Sequence, residues 1–175
     1  MTIRPESAGS LLRVLFVCTR NAARSQMAEA VLARKGRERY LTSSAGSDPA
    51  ASVDPLALEV LADHGIEWRG RPKGFDAVGT ERWDLVITLC DRAREVCPSF
   101  TGNPVYAHWG IPDPAAAQGS EGRRRLAFEE ALGFISRRID LLLALPHVKM
   151  ARAALEHRTR QIGTEPLGAA GTVPG

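Results

Sequence analysis

The chain has 175 residues, of which 44% are hydrophobic and 25% are charged, an ordinary composition for one globular domain with a normal core. The net charge of +3 is scattered and is not interleaved with aromatic residues, which argues against a nucleic-acid-binding protein. No apolar run reaches the roughly 18 residues of a membrane span, and the N-terminus lacks the hydrophobic region of a signal peptide, so we expect a cytoplasmic protein.

Strand and helix signals alternate along the chain. Short runs rich in branched residues predict strands at residues 11–17, 40–46, 83–89 and 103–109. Apolar residues at helical spacing predict helices at residues 25–36, 54–65 and 121–145. Gly36 is a plausible end for the first helix, and the second has Asp54 as N-cap, Pro55 at its first position and Gly65 past its end.

This alternation predicts a single-domain α/β fold with a four-stranded parallel sheet flanked by helices. We expect the folded domain to span residues 11–145, after a flexible N-terminus at residues 1–10. The C-terminal extension, residues 146–175, begins with a stretch that could form a short helix and then has a composition typical of disorder. We assign it no function.

The stretch CTRNAARS, residues 18–25, lies between the first strand and the first helix. Backbone N–H groups and the helix dipole favour an anion at such a junction, so we expect the pKa of the Cys18 thiol to be lowered. Arg24 can clamp the anion, Ser25 can donate to the sulfur or cap the helix, and Asn21 suits a position with positive φ. For Cys18 alone, a small buried cysteine is an equally good interpretation.

The stretch VLFVCTRNAARSQMAEA resembles the low-molecular-weight tyrosine phosphatases and the arsenate reductases built on their fold, whose loop reads Cys-x5-Arg-Ser after the first strand. The resemblance covers residues 12–143. It implies that an oxyanion binds to the loop residues Thr19, Arg20, Asn21, Ala22, Ala23, Arg24 and Ser25. Arg20 and Ala22 replace the glycine and serine of many members, so Arg20 either strains the loop or adds positive charge to its mouth.

Both kinds of enzyme protonate a leaving oxygen with the aspartate of a late Asp-Pro pair, and the stretch HWGIPDPAAA supplies Asp113 and Pro114. An ordinary Asp-Pro turn is the alternative. In tyrosine phosphatases of this size, aromatic residues follow the pair and line the substrate cleft. Alanines occupy residues 115–117 here, so a cleft for an aryl phosphate lacks its walls.

Cys90 and Cys97 lie in the stretch TLCDRAREVCPSF, which resembles the thioredoxin-coupled arsenate reductases. A buried thiol pair is one alternative, and two cysteines without a nearby histidine make a poor zinc site. If residues 90–97 are helical, the two α-carbons lie about 10 Å apart, whereas a disulfide needs less than roughly 7 Å. A disulfide between them therefore requires this segment to unwind. Arg92 and Arg94 either lower the pKa values of the thiols or are solvated charges.

The resemblance implies a relay of three cysteines. Cys18 attacks arsenic while Asp113 protonates the departing oxygen. Cys90 then attacks the Cys18 sulfur and releases arsenite, and Cys97 displaces Cys18 to leave a Cys90–Cys97 disulfide. Reduced thioredoxin is the implied external electron donor. We expect no bound cofactor, a monomer, and no nucleic-acid or membrane partner.

Some members of this family bind potassium beside the loop. Asn21, Glu29 and Ser44 match three of the ligand positions. The fourth ligand, an aspartate in those proteins, falls near Gly74 and next to Lys73. We therefore expect no metal.

Three functions stay open. The first is arsenic detoxification by an arsenate reductase coupled to thioredoxin, or to a small thiol, although relatives of the latter kind usually lack the Cys90 and Cys97 pair. The second is a phosphatase, which needs neither of those cysteines. The third is a non-catalytic oxyanion-binding or redox-sensing module in which Arg20 and Ala22 spoil the loop. In that third case Cys18 would alkylate no faster than a free thiol at neutral pH.

Overall fold

The computed structural model describes residues 11–146 and 150–168. Within these residues, the strands are β1 (Leu12–Cys18), β2 (Tyr40–Gly46), β3 (Leu85–Thr88) and β4 (Val105–His108). The α-helices are α1 (Arg24–Lys35), α2 (Pro55–Asp63), α3 (Asp91–Val96), α4 (Glu121–Leu143) and α5 (Arg152–Thr164). The strands form one parallel sheet in the order β2-β1-β3-β4, which confirms the predicted fold class.

The central strand β1 is buried on both faces because helices and loops cover both sides of the sheet. Its side chains alternate between the faces: Val14 and Phe16 pack into a large apolar cluster with α1, α2, α4 and α5, and Leu15 and Val17 pack into a smaller one with α3. The strand therefore delivers its last residue, Cys18, directly into the interior. None of the described helices is long and apolar enough to span a bilayer.

Helix α2 follows its predicted start. The Asp54 carboxylate accepts a hydrogen bond from the Leu56 N–H at 2.9 Å, and Pro55 is the first helical residue. Helix α4 begins as predicted at Glu121, but its cap was missed: the Ser120 hydroxyl accepts from the Arg123 N–H at 3.2 Å. Such short-range caps are readable from sequence once the first helical residue is known.

The C-terminal helix α5 packs against β4 and runs through Ile162, into a stretch whose composition indicated disorder. The Trp109 indole donates to the Thr159 carbonyl at 2.9 Å, and the buried Arg138 donates to the carbonyls of Gly110 and Gly163 at 2.9 and 3.1 Å. These long-range bonds hold the end of α5. The predicted flexible residues 1–10, and residues 169–175 of the extension, lie outside the described residues.

We expect Gly163→Ala to destabilise the domain by about 2 kcal/mol, because the added Cβ would overlap the His108 carbonyl oxygen and force α5 away from β4. Gly133→Ala in α4 is the matched control, since nothing beyond its chain neighbours and the backbone of its own helix lies within 4 Å of the added Cβ, and it should stabilise the helix by about 0.5–1 kcal/mol. Urea unfolding of both variants measures the difference. Equal stabilities would show that α5 does not pack here.

Candidate active site

The carboxyl ends of β1 and β3 meet at one edge of the sheet and bring two of the three cysteines close together. The Leu89 N–H donates to the Val17 carbonyl at 2.8 Å, which fixes the end of β3 against the end of β1. Cys90 follows at once, and its Sγ lies 3.3 Å from the Thr19 hydroxyl. Because Thr19 directly follows Cys18, the Cys90 sulfur lies at the rim of the 18–25 loop.

The loop turns several of its carbonyl groups outward. The carbonyls of Thr19, Arg20 and Ala22 accept hydrogen bonds from the backbone of residues 48–54, at 2.8–2.9 Å. In a planar trans peptide, the N–H of the next residue points the opposite way. In the part of the chain that the structure describes, the N–H groups of Arg20 and Ala23 have no acceptor. They are available to an anion.

Asn21 fixes the conformation of this loop. It has the predicted positive φ, at 48°, and its side chain is fully buried. Its Nδ2 donates to the hydroxyls of Ser25 and Ser44 at 2.7 and 2.9 Å, while its Oδ1 accepts from the Gln26 amide and the Lys73 N–H at 3.1 and 2.9 Å. All four hydrogen-bonding positions of the amide are used, so the loop conformation is set before any ligand arrives. Gln26 was not predicted, because an amide in a helix gives no sequence signal.

Cys18 is only 2% exposed, and its Sγ lies 2.8 Å from the Ser25 hydroxyl. Ser25 therefore contacts the sulfur, and Ala23 stands at the N-cap of α1 without a side-chain cap. Burial raises the pKa of the Cys18 thiol, which outweighs the opposite effects of Ser25, Arg24 and the Asn21 N–H. The predicted lowering of this pKa is wrong for the free protein. A slow alkylation of Cys18 is thus expected whether or not the chain is an enzyme.

A cavity of about 210 Å³ opens above the sulfur. It is lined by Cys18, Arg20, Ala22, Ala23, Arg24, Asp54, Asp113 and Ala115. Arg24 donates from Nη1 to the Ile111 carbonyl at 3.0 Å, and its Nη2 lies 3.5 Å from an Asp113 carboxylate oxygen. The structure thus brings the predicted cysteine, arginine and acid to one cavity. Asp54 was predicted only as a helix cap; its place in this wall depends on long-range packing.

Arg20 does not strain the loop, since the positive φ belongs to its neighbour Asn21. Its guanidinium pairs with the Asp48 carboxylate at 2.6 Å, and both side chains are exposed. The added positive charge at the mouth of the cavity is therefore largely balanced by Asp48.

Helix α3 spans the segment between the second and third cysteines. Cys90 stands at its N-cap and Cys97 at its C-cap, and both thiols are free. The helical geometry that separates them is therefore present. Burial raises the pKa of the Cys97 thiol to about 11, so this thiol is protonated at neutral pH. The exposed Arg94 lies 3.6 Å from the Asp91 carboxylate, which favours the interpretation of this arginine as a solvated charge.

The residues at the potassium positions of the resembled family are hydrogen-bonded to one another. The Ser44 hydroxyl donates to the Glu29 carboxylate at 2.5 Å, and Asn21 turns its amide nitrogen toward Ser44. Burial raises the pKa of Glu29, while Ser44 and the Lys73 charge act against this rise. Gly74 supplies no carboxylate itself, although the Asp76 carboxylate lies beside it. Among the described residues, no group of three or more His, Cys, Asp or Glu side chains could hold a metal ion.

Comparison with known proteins agrees with this geometry. The sequence profile described as low molecular weight phosphotyrosine protein phosphatase matches residues 13–161. An arsenate reductase of Halalkalibacterium halodurans is 34% identical over 127 residues, which cover 72% of this chain and 91% of that protein.

Solved structures give the same result. A thioredoxin-dependent arsenate reductase of Corynebacterium glutamicum matches with a TM-score of 0.60 and 31% identity, over 78% of this chain and 62% of that one. This chain therefore spans less than two thirds of that protein. An arsenate reductase in a phosphate-binding state matches with a TM-score of 0.66 and 27% identity, over 77% of this chain and 98% of that one.

Proposed function

Because the chain belongs to the low-molecular-weight phosphotyrosine protein phosphatase family, we propose that this enzyme reduces arsenate to arsenite and is regenerated by reduced thioredoxin. The observation that carries the proposal is the contact between the Cys90 sulfur and Thr19 of the 18–25 loop. It places Cys90 beside the residue that follows Cys18, a position that a hydrolase would not need. The curated relatives named arsenate reductases support the same reaction.

In the first step, arsenate enters the cavity above Cys18, where the N–H groups of Arg20 and Ala23 and the guanidinium of Arg24 receive its oxygens. The Cys18 thiol is protonated in the free protein because it is buried, so its proton passes to an oxygen of the bound dianion. The sulfur then forms a bond to arsenic as one As–O bond breaks. The departing oxygen leaves as water with a proton from Asp113.

In the second step, the Cys90 sulfur attacks the Cys18 sulfur. An S–S bond forms and the S–As bond breaks, with its electron pair staying on arsenic. Arsenic is thereby reduced from As(V) to As(III), and the two thiols are oxidised to one disulfide. The Thr19 hydroxyl, 3.3 Å from the Cys90 sulfur, can donate a hydrogen bond that stabilises the attacking thiolate.

In the third step, Cys97 attacks Cys90 and frees Cys18. The two residues lie at opposite ends of α3, about 10 Å apart along its axis, so the helix must unwind before they can bond. Unwinding also removes the burial that raises the pKa of Cys97 to about 11. Cys97 thus becomes a nucleophile only when it can reach its target. Two thiols of thioredoxin then reduce the Cys90–Cys97 disulfide.

The experiment that tests this function is a coupled assay of arsenate-dependent NADPH oxidation with thioredoxin and thioredoxin reductase. We expect steady turnover in the coupled system and none when thioredoxin is left out. Turnover with glutathione and glutaredoxin alone would instead indicate a small-thiol reductase. Absence of arsenite in every mixture, with clear cleavage of an aryl phosphate, would reject the reductase.

A phosphatase is the second candidate, because the anion-binding loop and Asp113 suit a phosphate ester equally well. Ala115 at the cavity wall argues against an aryl phosphate as the main substrate, since the wall offers little apolar surface to a ring. Slow phosphatase activity is expected alongside the reductase.

We expect Asp113→Asn to lower kcat for arsenate by about 10²- to 10⁴-fold, the range for loss of a general acid. The amide can still accept the hydrogen bond from the Ala115 N–H, at 3.1 Å in the wild type, so the local turn should persist. Single-turnover arsenite release measures the effect. The matched control is Asp48→Asn, which removes a carboxylate outside the cavity wall and should leave kcat within about three-fold, as an exposed ion pair has little energetic weight.

A further inference from the structure

A series of polar contacts connects the sheet to the start of α3. The His108 ring lies at the end of β4, with Nδ1 2.8 Å from the Thr88 hydroxyl and Nε2 3.0 Å from an Asp91 carboxylate oxygen. Thr88 is the last residue of β3, and Asp91 is the first residue of α3. These contacts thus join two strand ends to the helix that separates Cys90 from Cys97.

The hydrogen atoms in this set of contacts between Thr88, His108 and Asp91 have one consistent arrangement. Burial, together with the charges of Arg94 and Arg138, lowers the pKa of His108, and Asp91 opposes this effect, so the ring is neutral at neutral pH. An ionised carboxylate can only accept, so the ring proton lies on Nε2. The Nδ1 atom then accepts from the Thr88 hydroxyl. His108 is therefore fixed at one nitrogen by the sheet and donates to the helix from the other.

This contact matters because α3 has little else that is buried. Of its six residues, Ala93 alone is fully buried, and the Asp91 and Arg94 side chains are exposed. A helix of this length is unstable without tertiary contacts. The hydrogen bond from a ring held by the sheet is thus one of the few contacts that anchor its N-terminal end, beside the packing of Ala93. Unwinding that begins at the first turn of α3 would break this bond.

We propose that His108 is a positioning residue that latches α3 in its helical form through Asp91. The latch keeps Cys90 beside Thr19, ready to attack Cys18, and delays the approach of Cys97. It acts through the helix and does not touch the oxyanion. The role of the latch in ordering the two disulfide steps rests on the proposed reductase function.

The test compares His108→Asn with His108→Gln. The asparagine amide reaches about as far as Nδ1, so it retains the bond to Thr88 and loses the bond to Asp91. The glutamine amide reaches about as far as Nε2 and can restore the donor to Asp91. Millisecond hydrogen exchange of the reduced proteins, followed by mass spectrometry of residues 91–97, reports the opening of α3 directly.

We expect the α3 amides to exchange roughly three- to ten-fold faster in His108→Asn, the range for loss of one hydrogen bond, and at nearly the wild-type rate in His108→Gln. Equal exchange in all three proteins would overturn the latch. So would acceleration in His108→Asn that is equally large in β4 and α5, since this would make His108 a general packing residue.

A second readout separates the latch from the proposed function. After one equivalent of arsenate without thioredoxin, sampled early, His108→Asn should show a higher ratio of Cys90–Cys97 to Cys18–Cys90 disulfide than wild type, and His108→Gln should restore it. An unchanged ratio would overturn the role in ordering the relay. If the exchange rates respond as expected but none of the three proteins forms a disulfide, the helix latch holds and the proposed reductase fails.

Discussion

Cys90→Ser should abolish arsenate turnover, with a fall of at least about 10³-fold in the thioredoxin-coupled assay, as expected when a reacting nucleophile is removed. The arsenic adduct on Cys18 would have no second thiol to attack it, so arsenic would stay As(V). Cleavage of an aryl phosphate should stay within about three-fold of wild type, because hydrolysis does not use Cys90.

Cys97→Ser is the matched control for this result. This variant retains Cys18 and Cys90, so it should release one arsenite per enzyme and then stop. It should accumulate the Cys18–Cys90 disulfide. Quantifying arsenite and mapping disulfides after a single turnover separate the two variants. Full turnover by either variant would contradict the relay, as would equal loss of reductase and phosphatase activity in Cys90→Ser.

Cys18→Ser should abolish both activities, by about 10⁴-fold or more for arsenate and for an aryl phosphate. The Cys18 sulfur forms the covalent bond in either reaction, and a serine hydroxyl at neutral pH is a far weaker nucleophile. Phosphate should still bind within about three-fold of the wild-type affinity, because the Arg20 and Ala23 N–H groups and Arg24 are unchanged. Calorimetric titration with phosphate measures this.

Phosphate binding without any turnover in the wild type would identify the non-catalytic alternative. If wild type and Cys18→Ser bind phosphate equally and neither turns over arsenate or an aryl phosphate, the chain is an oxyanion-binding module. Alkylation does not separate these cases, since the 2% exposure of Cys18 and its raised pKa slow the reaction in both. Ser25→Ala tests how the neighbouring hydroxyl affects the Cys18 thiol. Loss of this hydroxyl, 2.8 Å from the sulfur, should raise the Cys18 pKa further.

The parts of the fold that depend on local patterning were predictable from the sequence. The apolar run before Cys18 predicts a buried strand, Asp54 and Pro55 predict a helix start, and Asn21 predicts the one loop position with positive φ. Each of these depends on a residue and its close neighbours in the chain. Cys18 and Arg24 of the candidate site were found because an anion-binding loop joins the first strand to the first helix, and Asp113 was found through the resemblance to the family.

The features that were missed depend on the folded chain, and most of them join residues far apart in the sequence. The Arg20–Asp48 ion pair, the Gln26–Asn21 bond and the place of Asp54 in the cavity wall all require the folded chain. The pKa of Cys18 was predicted in the wrong direction for the same reason: the loop N–H groups are readable from the sequence, but the degree of burial that outweighs them is not. His108 likewise gave no signal before β4 was placed beside β3.

The most direct test of the relay is a disulfide map of the wild-type protein after one equivalent of arsenate, without thioredoxin and with the reaction quenched in acid. The account predicts one arsenite released per chain, a Cys90–Cys97 disulfide and a free Cys18 thiol. A protein in which all three thiols stay free and arsenate is unconsumed, or in which arsenite forms without any disulfide between these cysteines, would contradict it.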